Sequence, residues 1–291
     1  MKLSRGERLF NGFNIAFLLL LGVTCLFPFY YIAIVSFTDP TEYYQKPFIL
    51  LPDHWTLGAY KYLMSTPAFL NSIQVSGFLA TVGTLLSLLV SSGLAYAISR
   101  KRLRFRRTLM LLIFLTTILQ AGMIPSYMVV KGLGMINSIW SLIIPALTGG
   151  WYILLMKGFF DSIPDSLEEA ARIDGAHELG IFFRIILPLS LPALVAFGLF
   201  FAVGYWNTFF SAVIYLNDHT KWPLQVLLQQ MLIDPMTAVG GASTQIASQV
   251  RMPPETLKMA AVMIATLPIM LVYPFLQKHF AKGAMVGSVK G

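Results

Sequence analysis

One short polar segment near the middle of the chain has the residue types and spacing of a docking helix. Pro164 favours the first turn of a helix, and Ser166 with Glu169 three residues later has the spacing of a capping box. Asp174 and Gly175 then predict its end, because glycine readily adopts the left-handed conformation found at helix ends. The spacing therefore predicts a short helix that stops at a sharp turn.

The apolar side of this predicted helix carries Leu167, Ala170 and Ala171, which fall on one face at helical spacing. Small alanine side chains allow the surface of another protein to approach closely. The same pattern also fits an amphipathic helix that lies on lipid, although such helices usually carry more Lys, Arg and bulky apolar residues. The acidic start and the alanines favour protein docking, and both interpretations stay open from the residues alone.

No other motif in the sequence supplies a catalytic or energy-converting site. There is no G-x-x-x-x-G-K-[ST] phosphate loop and no H-E-x-x-H zinc motif, and the four histidines are scattered along the chain. The apolar segments have no ionisable residue near their centres, where ion-coupled carriers usually keep one. The sequence therefore predicts a protein that is not an enzyme and that takes its energy from a partner.

The composition places these residues in a membrane protein. Hydrophobic residues make up 56% of the 291 residues and charged residues 12%, whereas soluble domains carry about 25% charged residues. A soluble enzyme, a disordered chain and a disulfide scaffold are excluded. Six stretches without Asp, Glu, Lys or Arg are long enough to cross a bilayer and predict an all-α protein with six transmembrane helices: Leu9–Thr38, Tyr62–Ser99, Thr108–Val130, Gly132–Met156, Ile185–Asn217 and Met259–Gln277.

The charge distribution orients these six helices. The segments on one side of the membrane hold fifteen of the 21 Lys and Arg and seven of the 13 acidic residues, so the whole net charge of +8 lies on that side. Basic residues in short loops mark the cytoplasmic side, so both termini are predicted to be cytoplasmic. The basic cluster 100–107 is interpreted mainly as a topology anchor beside anionic lipid, and nucleic-acid binding is not expected.

The predicted domain organisation is a single transmembrane domain over residues 1–291. Two of its loops stand out: a cytoplasmic loop at 157–188, which contains the docking helix, and a long external loop at 216–257. A loop of more than about 15 residues is usually functional or disordered, and the amphipathic run Leu224–Ile233 favours a folded, functional loop.

The docking segment resembles the signature of a known family. Glu169-Ala170-Ala171, then Gly175 after three residues, then Ile185-x-Leu187-Pro188 after nine more, is similar to the EAA loop of permease subunits of ATP-binding cassette importers. The flanking residues resemble the carbohydrate, MalG-like branch. In the external loop, Tyr215-Leu216-Asn217 and Lys221-Trp222-Pro223-Leu224 resemble the LplC/YtcP-like subgroup, which imports oligosaccharides.

The resemblance implies a type I importer permease in the bacterial cytoplasmic (inner) membrane, crossing it several times. The implied partners are a second, different permease subunit, two ATPase subunits, an extracellular or periplasmic solute-binding protein, membrane lipid and an oligosaccharide. This chain would bind no cofactor, because ATP and Mg belong to the ATPase subunits. Coupling to the ATPase would fall to the EAA loop, through Glu169, Ala170, Ala171, Asp174, Gly175, Leu187 and Pro188.

A sugar path needs aromatic faces and a few amides and hydroxyls in an otherwise apolar wall. Candidates in the predicted third and fifth helices are Gln120, Tyr205, Trp206, Asn207 and Thr208. Asn207 and Gln120 fit equally well as residues that bond across packed helices. In the external loop, Trp222 and Gln225 are candidates for contact with the binding protein or its sugar.

Two alternative functions stay open. The EAA signature is shared by importers of amino acids, phosphate and peptides, so the solute could be something other than a sugar. A self-sufficient secondary transporter would need neither ATP nor partner subunits.

Overall fold

The protein is described from a computed structural model, which covers residues 5–119, 121–233 and 253–288. These residues are mostly helical, and among them the only β-type pairing is an isolated antiparallel bridge between Thr38 and Trp55. In chain order the α-helices are α1 Arg5–Ser36, α2 Pro40–Gln45, α3 Gly58–Ser65, α4 Pro67–Phe78, α5 Thr84–Ser99, α6 Arg106–Ile118, α7 Met123–Gly132, α8 Trp140–Ile143, α9 Gly150–Phe160, α10 Asp165–Ile173, α11 Glu178–Ile181, α12 Leu187–Leu189, α13 Leu191–Trp206, α14 Phe210–Tyr215, α15 Leu224–Ile233 and α16 Pro254–Ser288.

Three of the predicted membrane segments are continuous helices of sufficient length and apolarity to span a bilayer. They are Phe10–Ser36, Pro67–Ser99 and Pro254–Val272. The middle one is α4 and α5 joined without interruption by a π-helical turn, Leu79–Gly83. The other three predicted segments are pairs of shorter helices, so the described residues hold up to six spans if each pair counts as one.

Three of the apolar segments are broken rather than continuous, and the breaks coincide with proline, serine and glycine. Helices α11–α12 and α13 meet at an angle of 84° at Ser190, two residues before Pro192. The run from α8 through Pro145 bends by 50° against α9. Between α6 and α7, Gly122 has a φ of +78°, which favours glycine. Hydropathy carries no information about these backbone interruptions.

The chain forms two compact units. One contains the described residues up to Leu70 and those between Leu228 and Leu267, and the other contains those of Asn71–Leu227 and from Pro268 onward. In the first unit, α1 presents many large apolar side chains without protein cover; Phe10, Phe13, Leu20 and Leu26 are each exposed by two thirds or more. Such a surface is typical of contact with lipid or with another membrane helix.

The loop that follows α1 is organised by one carboxylate. Glu42 is only 5% exposed, and its oxygens accept the backbone N–H groups of Asp53 at 2.9 Å and His54 at 3.0 Å. The ammonium of Lys46 also donates to it at 2.9 Å. The hydrogen bond from the Asp53 backbone is the main cause that lowers the pKa of Glu42 from its usual 4.5 to about 2.

We therefore expect the order of this loop to depend on pH. A depressed carboxylate pKa stabilises the folded loop above pH 4.5, and that contribution is lost as the pH falls from 4.5 to about 2. Amide hydrogen exchange measures it: protection of the Asp53 and His54 amides should fall over that interval. Glu42→Gln should reduce amide protection already at pH 7 and remove its dependence on pH. Asp53→Asn changes only an exposed partner of Lys46 and should preserve both the protection at pH 7 and its loss at low pH. Unchanged protection in Glu42→Gln would contradict this role.

The second unit is a helix bundle in which α5, α9 and α13 pack together, with α6 against α9. Its buried core includes Leu79, Ile143, Met156, Ile186 and Phe201. Small residues permit the close approach, as is usual between membrane helices. This bundle carries both the predicted docking loop and the predicted sugar path.

Candidate functional site

The docking helix of the EAA loop (157–188) is α10, Asp165–Ile173. It starts two residues earlier than a capping box at Ser166 requires, because Pro164 takes the N-cap position and no side chain caps the helix. The capping-box prediction is therefore wrong. Pro164 provides the start through its fixed φ, and its carbonyl accepts the Leu167 N–H at 3.3 Å.

The end of α10 agrees with the prediction from Asp174 and Gly175. Gly175 has a φ of +81° and donates its N–H to Arg172 O at 3.0 Å, while Ala176 donates to Ala171 O at 2.9 Å. This pair of bonds is a Schellman motif, which satisfies the last carbonyls of the helix and reverses the chain. A Cβ atom on Gly175 would meet no other atom within 4 Å, so glycine is needed here for its backbone conformation alone.

One stripe of α10 is free of protein cover. Ser166, Ala170 and Ile173, at positions i, i+4 and i+7, are all exposed, and the large apolar Ile173 is 86% exposed. Glu169 is exposed beside them, whereas Ala171 is 8% exposed and belongs to the bundle core. The EAA residues therefore divide between two faces: Glu169 and Ala170 face outward, and Ala171 seats the helix.

The opposite face of α10 is held by a buried ion pair that sequence reasoning missed. Glu168 and Arg100 are in salt-bridge contact, and their side chains are only 4% and 8% exposed. Arg172 also donates to Glu168, at 3.1 Å. Removing one partner of such a pair typically costs roughly 3–5 kcal/mol, because it leaves a buried charge without compensation. A Glu four residues before an Arg in the predicted helix, Glu168 and Arg172, was the available signal.

The interpretation of the basic cluster 100–107 as a lipid anchor is wrong for Arg100. This residue follows α5, and its guanidinium is buried against the protein rather than facing lipid headgroups. Two neighbours in the cluster also pair with the EAA loop: Lys101 with Asp165 at 3.2 Å, and Arg102 with Glu178. Charge counting places a cluster on one side of a membrane but cannot identify the acidic partners that the fold brings to it.

Leu187 and Pro188 join the EAA loop to the bundle, as the motif spacing suggests. They lie in the one-turn helix α12, directly after a π-helical turn at Phe182–Ile186. Leu187 packs against the core, and the Ser190 N–H donates to Ile186 O at 3.0 Å where the chain bends into α13. π-helical turns are often found at functional sites.

The predicted sugar-path residues at the end of α13 have different surroundings. Tyr205 is 4% exposed, and its hydroxyl lies 2.9 Å from the Ser87 hydroxyl, so it ties α13 to α5. Its ring fills the space over Gly83, where a Cβ would lie 2.7 Å from the ring. Trp206 is the last residue of α13. Gln120 lies outside the described residues.

Asn207 follows α13 in a break before α14, and its side-chain oxygen accepts the amide of Gln225 at 3.1 Å. This bond fits the interpretation of Asn207 as a residue that fixes packed segments together. The other external candidate, Trp222, is half-buried against the core and lies 4.0 Å from the His219 ring, centroid to centroid. The predicted helix at Leu224–Ile233 is present as α15.

Asn137 is a further organiser of the external segment that sequence reasoning missed. It has a φ of +61°, and its side-chain oxygen accepts the backbone N–H groups of Asn217 at 3.2 Å and Asp218 at 3.0 Å. Asp218 in turn accepts the hydroxyl and N–H of Thr220, which lower its pKa. The tolerance of asparagine for the left-handed conformation was the only signal in the sequence.

A cleft of about 270 Å³ lies in the bundle between α9 and α13. Tyr205 and Thr208 line it, together with residues that were not predicted, and Trp206 and Asn207 are not part of its lining. The walls combine aromatic rings with hydroxyl groups, and the rings of Tyr152 and Phe201 are 4.4 Å apart. The lining is completed by Leu142, Ala146, Thr148, Gly149, Phe200, Gly204 and Ser211.

Comparison with known proteins shows which family and which relatives this chain resembles in sequence. Residues 9–286 match the family described as the binding-protein-dependent transport system inner membrane component. Two Bacillus subtilis proteins are similar over nearly the whole chain. The polygalacturonan/rhamnogalacturonan transport system permease protein YtcP is 46% identical, covering 98% of this chain and 99% of the relative. Protein LplC is 45% identical, covering 99% and 97%.

A solved structure is also similar along almost the full length. It is that of a bacterial ABC transporter involved in the import of the acidic polysaccharide alginate. One of its chains is 32% identical in sequence to this chain and matches it with a TM-score of 0.89. The match covers 96% of this chain and 99% of that chain. The fold of this chain is therefore shared with a chain of that transporter.

Proposed function

Because the chain belongs to the family of inner membrane components of binding-protein-dependent transport systems, we propose that it forms, with a second and different permease subunit, the path by which an oligosaccharide enters the cell. As the permease component of an ABC sugar importer it is a transport subunit and not an enzyme. A solute-binding protein delivers the sugar, and two ATPase subunits bind ATP and Mg. The excess of basic residues on one side supports six spans with both termini in the cytoplasm.

The uncovered stripe of α10 carries this proposal. This small, shallow surface consists of Ser166, Ala170 and Ile173, with Glu169 at its edge. The Schellman turn at Gly175 sets the direction in which the chain continues after α10. A shallow surface with one large apolar side chain suits a groove on a partner protein. We assign this stripe as the docking surface for an ATPase subunit.

The charge on α10 argues against the alternative in which the helix lies on lipid. Glu169 and Asp174 are exposed, whereas Asp165 is paired with Lys101 and Arg172 is engaged with Glu168 and Glu178. Helices that lie on anionic membranes present Lys and Arg on their polar face instead. An acidic exposed helix would be repelled by such lipids, and it suits a basic partner surface.

Ala170→Arg is expected to reduce sugar-stimulated ATP hydrolysis of the assembled transporter by more than about tenfold. Ala170 lies at the centre of the uncovered stripe, and loss of a central interface contact costs about 2 kcal/mol or more. The measurement is ATPase activity in proteoliposomes with sugar-loaded binding protein. Ser65→Arg, an exposed small residue on the side assigned as external, is the matched control and should leave activity unchanged.

Membrane insertion should be preserved in Ala170→Arg, because the side chain points away from the bundle. Normal sugar-stimulated ATP hydrolysis, together with tighter binding of the variant to anionic vesicles, would contradict the docking assignment and favour the lipid interpretation.

The cleft between α9 and α13 is proposed as part of the sugar path. Aromatic faces with a few hydroxyl groups are typical of sites that bind sugars, because the rings cover the C–H faces and the hydroxyls bond to the sugar. YtcP is named for polygalacturonan and rhamnogalacturonan transport, and the solved relative serves alginate import. Both support a saccharide as the transported solute.

Tyr152→Ala is expected to lower the rate of sugar transport about fivefold to tenfold at saturating loaded binding protein, because it removes a ring worth about 1 kcal/mol of stacking. Leu155→Ala is the control: Leu155 lies one turn later in α9, is exposed and does not line the cleft. Uptake of labelled oligosaccharide into proteoliposomes measures both. Equal transport rates in the two variants would contradict a sugar path through this cleft.

A further inference from the structure

We propose that the buried Arg100–Glu168 pair is a positioning device that makes the EAA loop and the end of helix α5 move as one body. The inference rests on the proposed function, since it states how the docking surface of α10 is mechanically joined to the helices of the translocation path. The two adjacent glutamates then have separate roles: Glu169 faces outward, and Glu168 faces the chain's own arginine.

Arg100 lies where three elements meet. Its Nε donates to the Ser99 hydroxyl at 2.9 Å at the end of α5, and its Nη2 donates to Phe160 O at 3.1 Å at the end of α9. Its Nη1 contacts Glu168 in α10 and lies 3.7 Å from Asp165. The planar guanidinium therefore fixes the ends of two bundle helices and the docking helix in one geometry.

The surroundings of Arg100 restrict it further. Its Cζ lies 4.9 Å from the centroid of the Tyr96 ring, one turn earlier in α5, and the Tyr96 ring packs on Phe182, 5.2 Å away, in the returning arm of the EAA loop. Arg100 thus contacts the loop through α10 and, by way of Tyr96, through its second arm. A force on α10 would reach α5 from both sides.

The second carboxylate oxygen of Glu168 continues the network within the loop. Arg172 bonds to Glu168 at 3.1 Å and to Glu178 at 3.2 Å, so both arms of the loop are tied across the Gly175 turn. Buried ion pairs contribute little net stability compared with well-packed apolar residues. The pair therefore serves to fix the geometry of α10 relative to α5, which is a positioning role, and contributes little to overall stability.

The test replaces the pair with apolar side chains of similar length. In Arg100→Met/Glu168→Met the bundle should remain folded, because both buried charges are removed together. We expect the ATPase subunits still to co-purify, since the outer stripe of α10 is unchanged. The number of sugar molecules transported per ATP hydrolysed should fall about tenfold, within the range of coupling changes caused by single network residues.

Lys101→Gln is the matched control. Lys101 and Asp165 join the same two segments through an ion pair, but the lysine side chain is 83% exposed, so its removal should leave the ratio unchanged. A normal ratio in the double methionine variant would overturn the inference. If that variant does not assemble, Arg100→Lys is measured in the same way; it keeps the charge and loses the planar fork, and a normal ratio in it also overturns the inference.

A wild-type complex whose ATP hydrolysis does not respond to loaded binding protein contradicts the proposed function and the inference with it. A wild-type complex that couples normally, alongside a double variant that couples equally well, contradicts only the inference.

Discussion

Gly175→Pro is expected to abolish sugar-stimulated ATP hydrolysis while the protein still inserts into the membrane. Proline fixes φ near −65°, whereas Gly175 requires +81°. It also removes the N–H that donates to Arg172 O. Both bonds of the Schellman turn are then lost, and the chain cannot leave the end of α10 at the angle that the EAA loop requires.

A graded series at this position separates backbone conformation from side-chain contact. Nothing lies within 4 Å of a Cβ at Gly175, so the side chain itself makes no clash. The left-handed conformation costs most residues about 1–2 kcal/mol and asparagine less. ATPase stimulation should therefore decrease in the order Gly, Asn, Ala, Pro. If the alanine and proline variants showed the same ATPase stimulation as the parent protein, a role for the turn would be contradicted.

Gly150→Ala is expected to destabilise the bundle by roughly 1–3 kcal/mol, the usual cost of an added methyl group in a tightly packed site. At this first residue of α9, a Cβ would lie 2.6 Å from the carbonyl oxygen of Ile113 and 2.7 Å from the hydroxyl of Thr116. A backbone oxygen cannot rotate away, so α6 must move as a whole. Thermal unfolding of the purified chain in detergent measures the effect.

Gly158→Ala in the same helix is the matched control. Nothing lies within 4 Å of a Cβ at Gly158, and replacing glycine with alanine inside a helix stabilises it by roughly 0.5–1 kcal/mol. The two variants should therefore shift the unfolding temperature in opposite directions. A shift in the same direction for both would contradict close packing of α6 on α9.

The sequence was sufficient to predict the features that depend on local chemistry. The position of α10 follows from Pro164 and Gly175, because a fixed φ and a left-handed turn are properties of single residues. Lipid-facing character follows from composition alone. The predicted apolar face of α10 is only partly correct, because Leu167 and Ala170 are exposed whereas Ala171 is buried in the bundle core.

Features that depend on distant partners could not be predicted. Arg100 belongs to a basic cluster in the sequence, and only the fold brings Glu168, 68 positions away, into contact with it. The cleft is similar: Tyr205 and Thr208 were candidates by type and Phe201 lies one turn before Tyr205 in α13, but Tyr152 joins them only because α9 packs on α13. The sharp breaks in three apolar segments do not follow from hydropathy, which averages over the single glycines, serines and prolines that interrupt a helix.

We propose that this chain moves its solute with energy received from ATPase subunits at the α10 stripe. The most direct measurement is uptake of labelled oligosaccharide into proteoliposomes that contain this chain, its partner permease and the ATPase subunits, with loaded binding protein outside. We expect uptake that requires ATP and that is lost in Ala170→Arg. Uptake by this chain alone, without ATP and without partner subunits, would contradict it and identify a self-sufficient transporter.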